Sequence, residues 1–180
     1  MSTPTIIIGI LILILLMQYN YLIKLKNKVK QSKSGIDVYL NQRFDLIPNL
    51  VECVKSYSKY EKEIILNVTK MREQYINDKK RNIQQAQELN NNINKLIGVA
   101  ENYPELKASE QFLKLQKSLA KMESQLQAAR RIYNNEVTKY NTKISIIPLN
   151  IVAKIFRFKE EKLFEIEDLK KDNIDINLEG

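Results

Sequence analysis

From Ser2 to Ile23 no side chain carries a charge, and Ile6 to Met17 reads IIIGILILILLM. About twenty uncharged residues, rising about 1.5 Å each in a helix, match a hydrocarbon core about 30 Å thick. The pattern predicts a membrane-spanning helix within residues 1–23. Gln18, Tyr19, Asn20 and Tyr21 follow it as a polar-tipped aromatic belt suited to the membrane–water boundary. A cleaved signal peptide is the competing reading. No basic region precedes the run and no small-x-small site follows it, which favours an uncleaved anchor.

Beyond the anchor, apolar residues recur at helical spacing. Leu50, Val54, Tyr57, Ile64, Ile65, Val68, Met71 and Tyr75 trace one stripe. Phe112, Leu115, Leu119, Met122, Leu126, Ala129, Tyr133, Val137, Tyr140 and Ile144 trace a second. The second keeps a three-four rhythm until an extra step of four from Tyr133 to Val137, a stutter that relaxes left-handed supercoiling. Ile83, Ala86, Ile93, Leu96, Ile97 and Ala100 form a weaker, polar-rich helix. Stripes this narrow require helix-on-helix packing. Between them, the polar run Asn77 to Asn82 reads as a turn, and Pro104 ends a helix near Asn102 because it drives Tyr103 out of the α region.

In RFDLIPNLVE, proline is tolerated only where the amides have no intrahelical partner, so Pro48 fits a first helical turn after a corner, with Asp45 as its cap. The alternative is one helix continuing from the membrane and bent at Pro48. Next, Ile146, Ile147, Leu149, Val152, Ile155, Phe156 and Phe158 lie beside Lys154, Arg157 and Lys159. Such a basic amphipathic piece suits either the lipid headgroups or the open end of a bundle. The acidic stretch from Glu160, with Asp168, Asp172 and Asp175, reads as a short helix that frays. The expected divisions are an anchor at 1–23, a basic juxtamembrane helix at 24–44, a helical core at 45–145, an amphipathic segment at 146–165 and a flexible tail at 166–180.

Composition narrows the chemistry. Only four glycines and four prolines among 180 residues leave little material for β-turns, and the fold class expected is all-α. The formal charge is +8, and histidine, the commonest general base and metal ligand, is absent. The single cysteine, Cys53, excludes an intrachain disulfide and a thiolate cluster, and reads as a small core filler. The sequence has no glycine-rich phosphate loop. Lys24, Lys26, Lys28, Lys30 and Lys33 form a collar directly after the span while no lysine or arginine precedes it. Positive residues stay on the cytoplasmic side, which places the N-terminus outside and the bulk of the chain in the cytoplasm. Much of the excess charge thus sits beside the bilayer, and no nucleic-acid reader motif is present.

One set of polar residues stands out. Arg43, Asp45, Asn49 and Glu52 fall within three helical turns. Arg130, Arg131, Asn134 and Asn141 lie on the second long stripe, where Tyr133–Asn134 recurs seven residues on as Tyr140–Asn141. They suit a polar groove that binds a partner or ligand. Equally they suit a structural role, with Arg130 or Arg131 paired to Glu52 or Asp45 and the asparagines setting helix register. The structural role is favoured.

Five segments carry a resemblance: YNYLIKLKNKV, IDVYLNQRFDLIPNLVECVKSY, VAENYPELKAS with FLKLQ, ARRIYNNEVTKYNTKI and IPLNIVAKIFRF. In this order, from Tyr19 to about Phe164, the chain resembles the LemA family of bacterial membrane proteins. It departs at Ile147, where an aromatic is usual, at Arg157, where glycine is common, and after Glu165, where no counterpart is clear. The resemblance implies a single-pass membrane protein with an external N-terminus and a cytoplasmic antiparallel four-helix bundle of long, coiled-coil-like helices. It supplies no activity; the family is associated with envelope or membrane stress and with scaffolding. The expectation is therefore a non-enzymatic scaffold in the cell (inner) membrane, without cofactor or metal. Its expected partners are the bilayer and a protein whose identity the sequence does not give, with self-association left open and no nucleic acid. The alternative is a lipid-organising protein using the basic collar and residues 144–158.

Overall fold

The computed structural model describes residues 3–57, 61–78 and 83–164, apart from the side chains of 83 and 84. The flexible tail expected at 166–180, and most of the turn expected at 77–82, lie outside the described residues. The described residues are mostly helical, with no strand among them. Seven helices follow in chain order: α1 (Thr3–Phe44), α2 (Ile47–Tyr57), α3 (Lys62–Asn77), α4 (Ile83–Gly98), α5 (Pro104–Ala108), α6 (Glu110–Ser145) and α7 (Leu149–Ile155). A 3₁₀ turn, Val99–Asn102, joins α4 to α5.

The chain divides into two compact units. One comprises Met1–Ser32 with Arg130–Gly180, the other Lys33–Ala129.

In the first unit, Ile6 to Met17 expose their side chains all round, Gly9 aside, as a helix built for lipid does. α1 is the one helix among the described residues long and apolar enough to cross a membrane. Lower on the same helix, Leu22 and Val29 are buried, seven residues apart. From α6, Tyr133, Val137, Tyr140 and Ile144 are buried in this unit, as the second stripe predicts. α7 buries Val152 and Ala153, and Phe156 and Phe158 pack on Tyr19 with ring centroids 4.6 and 5.9 Å away.

α7 closes through a Schellman motif. The Phe158 amide donates to the Ala153 carbonyl and the Arg157 amide to that of Lys154, with Arg157 at φ 56°. Glycine is the residue at ease there, so the departure at Arg157 falls where the backbone is left-handed. After this turn, residues 159–164 are non-helical, which corrects the start of the short helix expected from Glu160; the rest of that stretch, with Asp168, Asp172 and Asp175, lies outside the described residues. The reason is visible in the partners of 159–164: six of their main-chain groups, on Lys159, Glu161, Lys162 and Phe164, bond to side chains of α6 and so are not available to an i→i+4 ladder.

In the second unit, α1 supplies Ile36, Leu40 and Phe44 to the core, so packing begins ahead of residue 45. The helix stops at Phe44, with the Asp45 amide bonded back to Asn41 and the Leu46 amide to Arg43. α2 then starts at Ile47 with Pro48 in its first turn, where a missing N–H costs nothing. Asp45 does not cap it; its exposed carboxylate faces Arg72 instead. The stripe read as continuous from Leu50 to Tyr75 is carried by two helices, α2 and α3, and Tyr57 at the end of α2 is exposed. Ile65, Val68 and Tyr75 are buried, with Tyr75 edge-on to Phe44 at 4.9 Å. α4 contributes Ala86, Leu89, Ile93 and Leu96, and Phe112, Leu119 and Leu126 come from α6. Pro104 opens α5 after Tyr103, whose φ of −126° and ψ of 89° lie outside the helical region.

Candidate functional site

The polar residues of interest fall in both units, and each group is built from its own surroundings. In the second unit, Arg43 points from the last turn of α1 into the core, with only 4% of its surface exposed. It forms an ion pair with Glu123 of α6 and donates to the Asn94 amide oxygen of α4 at 3.2 Å. A buried guanidinium needs such partners, because desolvation otherwise costs several kcal/mol. Asp45 and Arg72 meet at 3.5 Å in the open, and Arg72 also donates to the Phe44 carbonyl at 2.9 Å, covering the end of α1. Asn49 and Glu52 are exposed. Glu52 lines a shallow groove of 430 Å³ between α2 and α3, with Ile47, Val51, Thr69 and Arg72. The acids that answer Arg43 and Arg72 are Glu123 and Asp45.

Cys53 is buried on α2, and burial pushes its thiol pKa up, against the lowering effect of a hydrogen bond with Ser109. It is a packed side chain, not an activated nucleophile. Among the described residues, no three His, Cys, Asp or Glu side chains converge as a metal site would require.

In the first unit, Tyr133, Asn134, Tyr140 and Asn141 form a ladder on one side of α6. The Asn141 amide nitrogen donates to the Glu161 carbonyl at 2.9 Å, and its oxygen accepts from the Glu161 amide at 3.0 Å. Asn134 repeats this with Phe164, at 3.1 and 2.7 Å. The Tyr140 hydroxyl donates to the Lys159 carbonyl at 3.0 Å and that of Tyr133 to the Lys162 carbonyl at 2.9 Å. One heptad advances about 10.5 Å along a helix, and three extended residues cover about 10 Å. Both Asn and Tyr therefore meet every third residue of a drawn-out chain running opposite to α6. Phe164 closes the ladder, 8% exposed, with the Arg130 guanidinium 4.9 Å from its ring centre. Burial raises the pKa of both phenols, and the Glu161 carboxylate adds to it. Arg131 is exposed, as are the collar lysines Lys24, Lys26, Lys28, Lys30 and Lys33 on α1.

Sequence reading missed Glu123, Asn94 and Arg72, and it missed Phe164 with the backbone of 159–164. The Tyr–Asn repeat was the available signal for the ladder: two hydrogen-bonding pairs one heptad apart imply a partner with the same 10 Å repeat.

An apolar helix that can span a bilayer, followed by packed helices whose polar contacts are internal, defines a membrane-associated all-helical protein. The LemA family profile matches residues 32–178, so the chain belongs to the LemA family. That match runs past Glu165, so the family's likeness extends into the tail. Protein LemA of Metamycoplasma hominis is 23% identical over 171 residues, covering 93% of this chain and 78% of that protein. Magnetosome protein MamQ 2 of Paramagnetospirillum magneticum is 22% identical over 179 residues, covering 84% of this chain and 66% of that protein. MamQ of Magnetospirillum gryphiswaldense is 22% identical over 178 residues, and this chain spans 65% of its length.

Proposed function

We infer that this protein is a membrane-anchored, non-catalytic helical scaffold that binds another protein on the cytoplasmic face of the cell membrane. It is single-pass, its body an antiparallel four-helix bundle with coiled-coil-like helices, and it serves envelope or membrane-stress processes. The observation that supports this is α1, where the exposed apolar run Ile6–Met17 continues without a break into the buried Leu22 and Val29. One helix thus serves bilayer and body at once. The polar residues nearest to a reactive cluster are bound to their neighbours, Arg43 to Glu123 and Asn134 and Asn141 to the backbone of the following segment. In-cell crosslinking from exposed positions of the bundle, followed by affinity purification, is expected to return one defined membrane protein. Recovery of unrelated neighbours at every position would refute the reading.

A second reading, lipid organisation, is favoured by α7. Ile147, Ile151 and Ile155, spaced by four, are 78, 55 and 61% exposed, while Val152 and Ala153 face inward and Phe156 touches Tyr19 of the aromatic belt. The isoleucines then enter the headgroup boundary. The chain has no tryptophan, so Ile151→Trp provides a single reporter. Its fluorescence is expected to be quenched by brominated lipids in reconstituted bilayers; emission unaffected by them would remove this reading.

A further inference from the structure

All six hydrogen bonds from Tyr133, Asn134, Tyr140 and Asn141 end on main-chain atoms of residues 159–164. Each asparagine offers one donor and one acceptor to a single residue, as the neighbouring strand of a sheet would, and that is how proteins add an extended peptide irrespective of its side chains. The side chains that ride on this backbone are spent elsewhere: Lys159, Glu160, Lys162 and Leu163 are exposed, and only Phe164 is enclosed. A clasp made for permanence would bury Leu163, since apolar burial is the main source of holding energy; here 47% of it stays in water. What holds the segment is therefore a set of bonds that any extended polypeptide can reproduce one for one, plus one aromatic anchor.

We propose that the Tyr–Asn ladder of α6 is a docking strip for an extended segment of a partner protein, and that residues 159–164 are its resident occupant, displaced when the partner binds. The occupant it fits is a drawn-out chain with an aromatic residue where Phe164 lies, under Arg130. Displacement exchanges six main-chain hydrogen bonds for the same six, so the partner wins by adding side-chain contacts that the resident segment lacks. This assignment rests on the scaffold reading and names the surface through which the scaffold works.

The test uses the full-length protein in lipid nanodiscs and a fluorescein-labelled peptide, RFKEEKLFE, reproducing residues 157–165. In Phe164→Ala the resident segment loses its anchor, and the peptide is expected to bind at least ten-fold more tightly than to the unsubstituted protein. Adding Asn134→Ala and Asn141→Ala is expected to reverse that gain. N-methylation of the peptide amides at the Glu161 and Phe164 positions is expected to abolish binding, because it removes the two donated hydrogens and leaves every side chain in place. Glu161→Pro, which removes the donor to Asn141 and keeps the aromatic anchor, serves as a second opened form. Absence of saturable binding to an opened form of normal helicity overturns the proposal, as does equal binding of the N-methylated peptide. Loss of helicity in both opened forms overturns it too, since the segment would then be a fixed part of the fold. A membrane partner crosslinked in cells alongside a failed peptide titration would remove the strip and leave the scaffold standing.

Discussion

Arg43 shows how one residue is fixed by its surroundings. With 4% exposure it must be paired, and Glu123 and Asn94 provide the pairing from two other helices. Arg43→Ala takes the cation from Glu123, whose carboxylate keeps the Gln127 amide at 3.3 Å and 30% of its surface in water. A loss of about 2–3 kcal/mol is expected, below the full cost for a wholly buried pair. Arg43→Met combined with Glu123→Leu should recover most of that loss, because two apolar side chains need no partner; urea denaturation of the three proteins checks both expectations. Arg157 is the opposite case, a long side chain at φ 56°. Arg157→Gly relieves a left-handed backbone and should leave stability unchanged or raise it by up to about 1 kcal/mol, read as a shift in the thermal midpoint. Cys53, with its thiol raised by burial, is expected to resist a maleimide at neutral pH and to react at once in denaturant.

At the level of elements, the stripes were legible because burial follows helical periodicity: along α6, Phe112, Leu119, Leu126, Val137 and Tyr140 are all enclosed. Pro104 marked a helix end near Asn102, and Pro48 narrowed its stretch to a first turn or a bend, for reasons confined to their own backbone. The course of 159–164 was not legible. Its binding groups are main-chain amides and carbonyls, which leave no trace in the letters, and its charged side chains look like those of a solvated helix. Nor could any pattern join Arg43 to Glu123, since that contact depends on how distant helices come together. The ladder has a pH signature. Tyrosine in an unfolded chain ionises near pH 10, and burial holds Tyr133 and Tyr140 protonated to higher pH in the fold. The folded form therefore keeps protons that the unfolded form has released, so their contribution is complete below about pH 10 and is lost as pH climbs through the folded values. A phenolate also cannot donate to a carbonyl. The thermal midpoint is expected to fall above pH 10, and the fall should be smaller in Tyr133→Phe with Tyr140→Phe.

For the whole molecule, the decisive quantity is the side of the bilayer on which the packed helices lie. Lys24, Lys26, Lys28, Lys30 and Lys33 follow the apolar run, and the cytoplasmic placement proposed for the packed helices rests on them. Protease added to intact cells is expected to leave the chain whole, while the same protease added to inverted vesicles should degrade all but the N-terminal span. Replacing the five lysines with glutamine should weaken this orientation and yield a mixed population. Family membership supports a membrane-associated helical body, and crosslinking tests the protein partner proposed for it.

The match of seven helical residues to three extended ones has an arithmetic corollary. Lengthening α6 by a single residue between Tyr133 and Tyr140 turns one asparagine about 100° away from its rung, and no slide of the opposing chain can restore both. Adding a whole heptad there and three residues between Glu161 and Phe164 keeps every rung in phase. Length changes in these two stretches are thus tolerated in the ratio seven to three, like a vernier whose two scales must be recut together.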